Sequence, residues 1–211
     1  MRKEFLDLVE FLPEKIICNS GKGQEAILNN IADEEFISVS YLVQQALGEL
    51  EHSITIPRFI LKSKETFEVL GLLQAEMGKT HNGSLSFCNH EYQIINRVMK
   101  WFEKELHLGK EKWKWSIRIN INEPKDENYR KEIENKVINY WLNNSKITLN
   151  QAYPKKVTYI SNTKNTKLKF YDEGTLVLEY KNNLFSQIIK NLVRKITYEK
   201  ILAYENGFIQ G

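Results

Sequence analysis

The sequence of this 211-residue chain predicts an α+β protein with a small helical N-terminal region. Three observations carry the prediction. Residues 112–122 alternate polar and apolar side chains with a period of two, three stretches between residues 91 and 196 carry apolar residues at helical spacing, and residues 24–52 read as two short helices. A hydrophobic content of 42% supplies enough apolar surface for one large domain, or for a small and a medium one.

Residues 1–60 form the expected N-terminal region. QEAILNNIA and SYLVQQALGELEH each read as a helix, the second with Tyr41, Leu42, Ala46 and Leu50 in phase, and ADEEFIS reads as a turn between them. Two helices so joined would allow a helix-turn-helix, although the acidity of the segment suits packing better than groove binding. Ser20-Gly21-Lys22-Gly23 lacks the GxxxxGK[ST] spacing of a phosphate loop and reads as a helix-entry turn.

The next element is the apolar helix LGLLQAEMGK, residues 70–79. At about 100° per residue, Gly71, Ala75 and Gly78 fall on one narrow stripe, while Val69, Leu70, Leu72, Leu73 and Met77 cover much of the remainder. Small residues at that spacing let a second helix approach closely. Glu76 stands at the C-terminal end, where the helix dipole disfavours a carboxylate, and such a broken local rule points to function.

From residue 83 strands and helices alternate. Leu85 and Phe87 belong to a short strand, and EYQIINRVMKWFEKEL places Ile95, Val98, Met99, Phe102 and Leu106 on one helical face. WKWSIRININ sets Trp113, Trp115, Ile117, Ile119 and Ile121 against Lys112, Lys114, Ser116, Arg118, Asn120 and Asn122, a strand with one core face and one basic, polar face. A helix with Tyr129, Ile133, Val137 and Tyr140 in register follows, then strands KVTYIS and TLVLEY around a turn at YDEG. The last helix aligns Phe185, Ile188, Ile189, Leu192 and Ile196. Gly83-Ser84-Leu85 and Gly174-Thr175-Leu176 each open a strand that enters a helix, a partial internal repeat.

Charge is distributed unevenly. Residues 1–78 hold 7 basic and 13 acidic side chains, residues 79–170 hold 18 and 9, and residues 171–211 hold 5 and 5. Residues 146–170 carry six lysines and no acid, interleaved with Tyr153, Thr158, Tyr159, Ser161, Asn162 and Asn165. Lysines neutralise phosphate while hydroxyls and amides give directional hydrogen bonds, so this region suits a phosphate backbone.

Other classes find less support. The chain has no run of about 18 apolar residues, and MRKEFLDLVEF carries acids, so no membrane span or secretory signal is expected and the default compartment is cytoplasmic. Cys18 and Cys88 form no metal-ligand or disulfide pattern. The four histidines form no spaced pair, no nucleophile or dinucleotide motif occurs, and Glu103, Glu105, Glu132 and Glu134 read as solvated helix positions. Intein splicing is not expected, since splice-junction residues are missing.

Val69-Leu70-Gly71-Leu72-Leu73-Gln74-Ala75-Glu76-Met77 resembles the LAGLIDADG motif of homing endonucleases, in degenerate forms that read like GLLQAEG. The lead-in ITIPRFILKSKETFEV, the strand SLSFCN and the helix that follows extend the resemblance over about residues 54–211. It implies a saddle of mixed antiparallel sheet and helices over residues 61–200, with sheets in the DNA major groove and motif helices paired through Gly71, Ala75 and Gly78. It also implies a site-specific double-strand DNA endonuclease that leaves 5′-phosphate and 3′-hydroxyl ends. Glu76 would bind Mg²⁺ or another divalent cation, with Gln74 and Lys79 as catalytic neighbours. The DNA contacts expected on the scaffold are Lys112, Lys114 and Arg118 on the polar strand face, with Lys155, Lys156, Lys164, Lys167 and Lys169 on later strands.

Two features depart from the family pattern. Met77 stands where the motif has its last glycine, and residues 201–211 read as the start of a second motif helix, with ENGFIQG ending at Gly211 in the place of Gly71. Cleavage needs two acids. Hence the chain is expected to be a truncated two-repeat enzyme, the preferred reading, a homodimer through the motif helix, or a relic that no longer cuts. A non-cleaving DNA-binding regulator or an RNA maturase is the alternative on the same scaffold.

Overall fold

A computed structural model describes residues 4–17, 25–27, 29–45, 48–78, 83–160 and 172–203 of the protein. In chain order the elements are β1 (Phe5–Asp7), β2 (Lys15–Ile17), β3 (Glu25–Ile27), β4 (Asn29–Ala32), β5 (Phe36–Gln45), β6 (Gly48–Pro57), β7 (Phe59–Leu61) and α1 (Lys64–Glu76). Then come β8 (Leu85–Asn89), α2 (Tyr92–Leu106), β9 (Lys114–Ile119), α3 (Glu127–Asn144), β10 (Ala152–Tyr159), β11 (Thr175–Tyr180) and α4 (Asn183–Ala203). The α+β class holds. The chain divides into two compact units, one of Met1–Leu85, Lys104–His107 and Lys181–Gly211, the other of Ser86–Glu103 and Leu108–Tyr180.

In the first unit the helical expectation for residues 1–60 fails. The two stretches read as helices form β3, β4 and the antiparallel pair β5–β6, which runs in register from Phe36↔Pro57 to Gln45↔Gly48. Alternation outweighs helical phase there. Ile37, Val39 and Tyr41 are buried on the face shared with Ile56, while Ser38 faces Thr55 across the ladder with their hydroxyls 2.9 Å apart. β-branched residues at every second position fit a half-buried pleat and crowd a helix turn. Among the described residues of these segments there is therefore no helix-turn-helix. Antiparallel pairs β1–β7 and β2–β3 and the three-stranded order β4-β5-β6 complete the strands of this unit.

Arg58 ties three of these segments. Its guanidinium donates to both carboxylate oxygens of Asp7, at 2.8–3.2 Å, and to the Asp33 carbonyl at 2.8 Å. Its own carbonyl accepts from Leu8 N–H at 2.8 Å. The lead-in then ends in a helix start: the Ser63 hydroxyl accepts from Thr66 N–H at 3.1 Å as an N-cap, and Glu65 occupies the first turn. Val69, Leu70 and Leu73 bury the inner face of α1, which packs against α4. Along α4, Phe185, Ile188, Ile189, Leu192 and Ile196 are buried as their spacing predicts. Glu105 corrects the expectation of a solvated helix end. It is buried, accepts from Leu61 N–H at 3.3 Å and pairs with Lys104, which also reaches Glu65 at 3.1 Å.

The second unit holds a four-stranded sheet in the order β10-β9-β11-β8. β11 runs antiparallel to β9, whereas β10 runs parallel to it, with α3 as the crossover between the two. The sheet is thus mixed. Trp113, Trp115, Ile117, Ile119 and Ile121 are all buried, as are Ile95, Val98, Met99, Phe102 and Leu106 of α2. On α3, Ile133 and Val137 are buried, but Trp141 completes the core face while Tyr129 stays exposed and Tyr140 is half-buried. Two indoles anchor loops: Trp141 Nε1 donates to the Glu173 carbonyl at 2.8 Å and Trp115 Nε1 to the Thr148 carbonyl at 2.6 Å. Glu134 is half-buried and accepts from the Tyr159 hydroxyl at 3.2 Å, and burial, followed by the Glu134 charge and that bond, pushes the phenol far up.

Candidate nucleic-acid interface

The residues expected at the site fall into two groups, one in each unit. In the first unit, α1 turns Gly71, Gln74, Ala75 and Glu76 to the exterior, with Gly78 half-exposed. A Cβ added to Gly71 would meet nothing within 4 Å. The stripe begins with the exposed Lys64–Glu68 pair one helix turn apart, so polar residues lead into small ones along the outer face. Met77 closes the helix with φ −71° and ψ 132°, its N–H donating to the Leu73 carbonyl at 2.9 Å. Because this cap is extended rather than left-handed, methionine at position 77 brings no backbone strain.

Glu76 supplies one carboxylate of the kind Mg²⁺ accepts. Such ions commonly bind one or two carboxylates and fill their remaining positions with water and substrate phosphate. Among the described residues no group of three or more His, Cys, Asp or Glu gathers into a metal site. Lys79, expected beside Glu76, lies outside the described residues.

In the second unit the outer sheet face carries the cations. β9 exposes Lys114 and Arg118 with Ser116 half-exposed between them, and Lys112 is exposed on the short turn before the strand. Register brings partners from both sides: Arg118 lies opposite Thr158 of β10 and Thr175 of β11, and Lys114 lies opposite Glu179. Lys114 Nζ stands 5.5 Å from the centre of the Tyr153 ring, a cation-π contact across the β9–β10 edge. Lys156 is half-exposed next to Thr158, while exposed Lys155 approaches Glu123 at 3.8 Å. The structure therefore places Lys114 and Arg118 on one strand surface, whereas Lys156 lies in the stretch of β10 where the register shifts between Ala152 and Val157. Lys164, Lys167 and Lys169 lie outside the described residues.

No family model matches this chain, and no curated protein or solved structure matches it at a significant level.

Thr175 and Glu179 escaped the sequence reading of this surface. Their signal was two polar residues flanking the fully buried Leu176 and Leu178; Thr175 and Glu179 share the face of Lys114 and Arg118 with Val177, which lies opposite Ser116 and is also buried. Gly174 supports that face from below. Its φ of +72° admits glycine readily, and a Cβ there would stand 2.7 Å from the Arg118 carbonyl oxygen. Gly83, at the start of the matching segment before β8, has φ +69°, so the two glycines of the partial repeat share a positive φ. Among the described residues no helix is long and apolar enough to cross a membrane.

Proposed function

We propose that the protein is a site-specific, metal-dependent double-strand DNA endonuclease of the LAGLIDADG homing type that acts with a second motif helix. The observation that carries this reading is the outward stripe of α1: Gly71 and Ala75 are exposed and Glu76 follows them at the helix end, while Val69, Leu70 and Leu73 are committed to the interior. A second copy of the helix brought against that stripe supplies the second Glu76 that two-strand cleavage requires. The exposed cations of β9, with threonines beside them in register, suit phosphate contact and major-groove reading. Bound Mg²⁺ would polarise phosphate and lower the pKa of attacking water; Glu76 would hold it by a carboxylate oxygen.

Incubating the purified chain with a randomised duplex library, with and without Mg²⁺, and sequencing the bound and cleaved fractions tests the proposal. Mg²⁺-dependent cuts at one sequence support it, and Glu76→Gln is expected to abolish cutting while leaving binding within a few-fold. Cutting that survives Glu76→Gln removes the metal assignment.

A second reading is a non-cleaving DNA-binding regulator or an RNA maturase on this scaffold. It is favoured by the single motif carboxylate that each chain brings. Salt-sensitive binding without cleavage, with duplex DNA and structured RNA tested side by side, would select it.

A further inference from the structure

Glu179 is the one acid among the cations on the outer face of β9 and β11. It pairs directly with Lys114 across the antiparallel ladder, so the two side chains rise from the same face on neighbouring strands, about 5 Å apart at their Cβ atoms. No salt bridge joins their charged ends. The Lys114 ammonium lies over the Tyr153 ring on the far side, and among the described residues no salt bridge or hydrogen bond holds the Glu179 carboxylate. The neighbours on either side are Leu178, fully buried, and Tyr180, so the half-exposed carboxylate is turned the other way from the core. A surface that only gripped phosphate would gain nothing from an acid, which repels the backbone at that point. An acceptor placed beside a donor is useful for reading a base pair.

Resting on the function proposed above, we infer that Lys114 and Glu179 together read a single G·C pair in the major groove. Guanine presents acceptors at O6 and N7, and cytosine presents a donor at N4, side by side on the same pair. Lys114 donates to guanine while Glu179 accepts from the cytosine amino group. Reversing the pair sets the ammonium against the amino group and the carboxylate against acceptors, so orientation is read as well as composition. Thymine offers O4 as an acceptor where cytosine offers a donor, which excludes it from the Glu179 side.

The test is selection of a randomised duplex library by the full chain without Mg²⁺, repeated with Glu179→Gln and Lys114→Gln. Wild-type protein is expected to fix one G·C pair in a defined orientation. Glu179→Gln should relax the cytosine preference at that pair by roughly fivefold or more and leave the other positions unchanged, and Lys114→Gln should relax guanine at the same pair. Both substitutions are on the surface, and their near-normal enrichment of the remaining positions verifies the fold. If Glu179→Gln instead raises affinity evenly for all sequences with every preference intact, or if the two variants alter different pairs, the pairing inference is overturned while DNA binding stands. A wild-type chain that enriches no duplex overturns the interface itself, and the pair reading with it.

Discussion

Gly174 lies against Arg118 so closely that a single methyl group on its Cα would stand 2.7 Å from the Arg118 carbonyl oxygen. The glycine also holds φ +72°, which side-chain-bearing residues seldom adopt. Backbone conformation and space therefore act together. Gly174→Ala is expected to destabilise the second unit by about 1–3 kcal/mol, measured by urea unfolding, and to weaken duplex binding because Arg118 shifts with its carbonyl.

The opposite sign is expected on the exposed stripe of α1. Glycine within a helix costs roughly 0.5–1 kcal/mol relative to alanine, and nothing lies within 4 Å of a Cβ at Gly71. Gly71→Ala should raise the unfolding free energy by about that amount. Gly71→Leu should leave the isolated chain folded but abolish Mg²⁺-dependent cleavage, since the bulk would hold a second helix away. Unchanged cleavage in Gly71→Leu would show that no helix packs there.

Acid stability should carry the mark of Asp7. Hydrogen bonds from Arg58 hold its carboxyl below the ordinary 3.8, helped by Val9 N–H and the Arg58 charge and opposed by partial burial. A carboxyl depressed in the folded state contributes fully above its unfolded value of 3.8, and the contribution disappears as pH falls through the lower folded value. Urea midpoints of wild type and Asp7→Asn, measured from about pH 2 to 5, should therefore converge toward the acid end. Parallel curves would remove Asp7 from the acid response.

Trp141 offers a packing test. Its ring is fully buried and its Nε1 satisfies the Glu173 carbonyl at 2.8 Å, just before Gly174 and β11. Trp141→Phe removes the bond and part of the ring, at an expected cost of about 2–3 kcal/mol. Equilibrium unfolding followed by far-ultraviolet circular dichroism would measure it.

The second unit was the more legible part of the sequence. Trp113 to Ile121 alternate without interruption, and periodicity of that quality fixes which face is buried. The first unit misled because Tyr41, Leu42, Ala46 and Leu50 also satisfy a helical wheel. The competing signal, Ile37 and Val39 spaced by serines and answered by Ile54 and Ile56, becomes decisive only when the two strands meet in register. Long-range pairing decided the case. Tyr129 shows a smaller failure of the same sort: its spacing placed it in the core of α3, and Trp141, with a larger ring and a carbonyl within reach, completes that core face instead. Glu105 read as a solvated end because its partners, Lys104 and Leu61 N–H, include one 44 residues away. On the proposed interface, Lys114 and Arg118 were legible from alternation, whereas Thr175 and Glu179 needed the register of β11 to place them.

The order of synthesis gives the link between Asn191 and Phe11 another meaning. Asn191 Nδ2 donates to the Phe11 carbonyl across 180 residues of sequence, and Lys195 sets its ammonium 5.1 Å from the centre of the Phe11 ring. At roughly 5–20 residues per second, the segment around Phe11 leaves the ribosome about ten to forty seconds before α4 exists to receive it. The strands of the first unit must wait through that interval with part of their apolar surface uncovered, while the second unit, built from an uninterrupted run apart from Lys104–His107, can close during it. Chaperone dependence during translation should therefore fall on the earliest residues of the chain, although they are the first to be made.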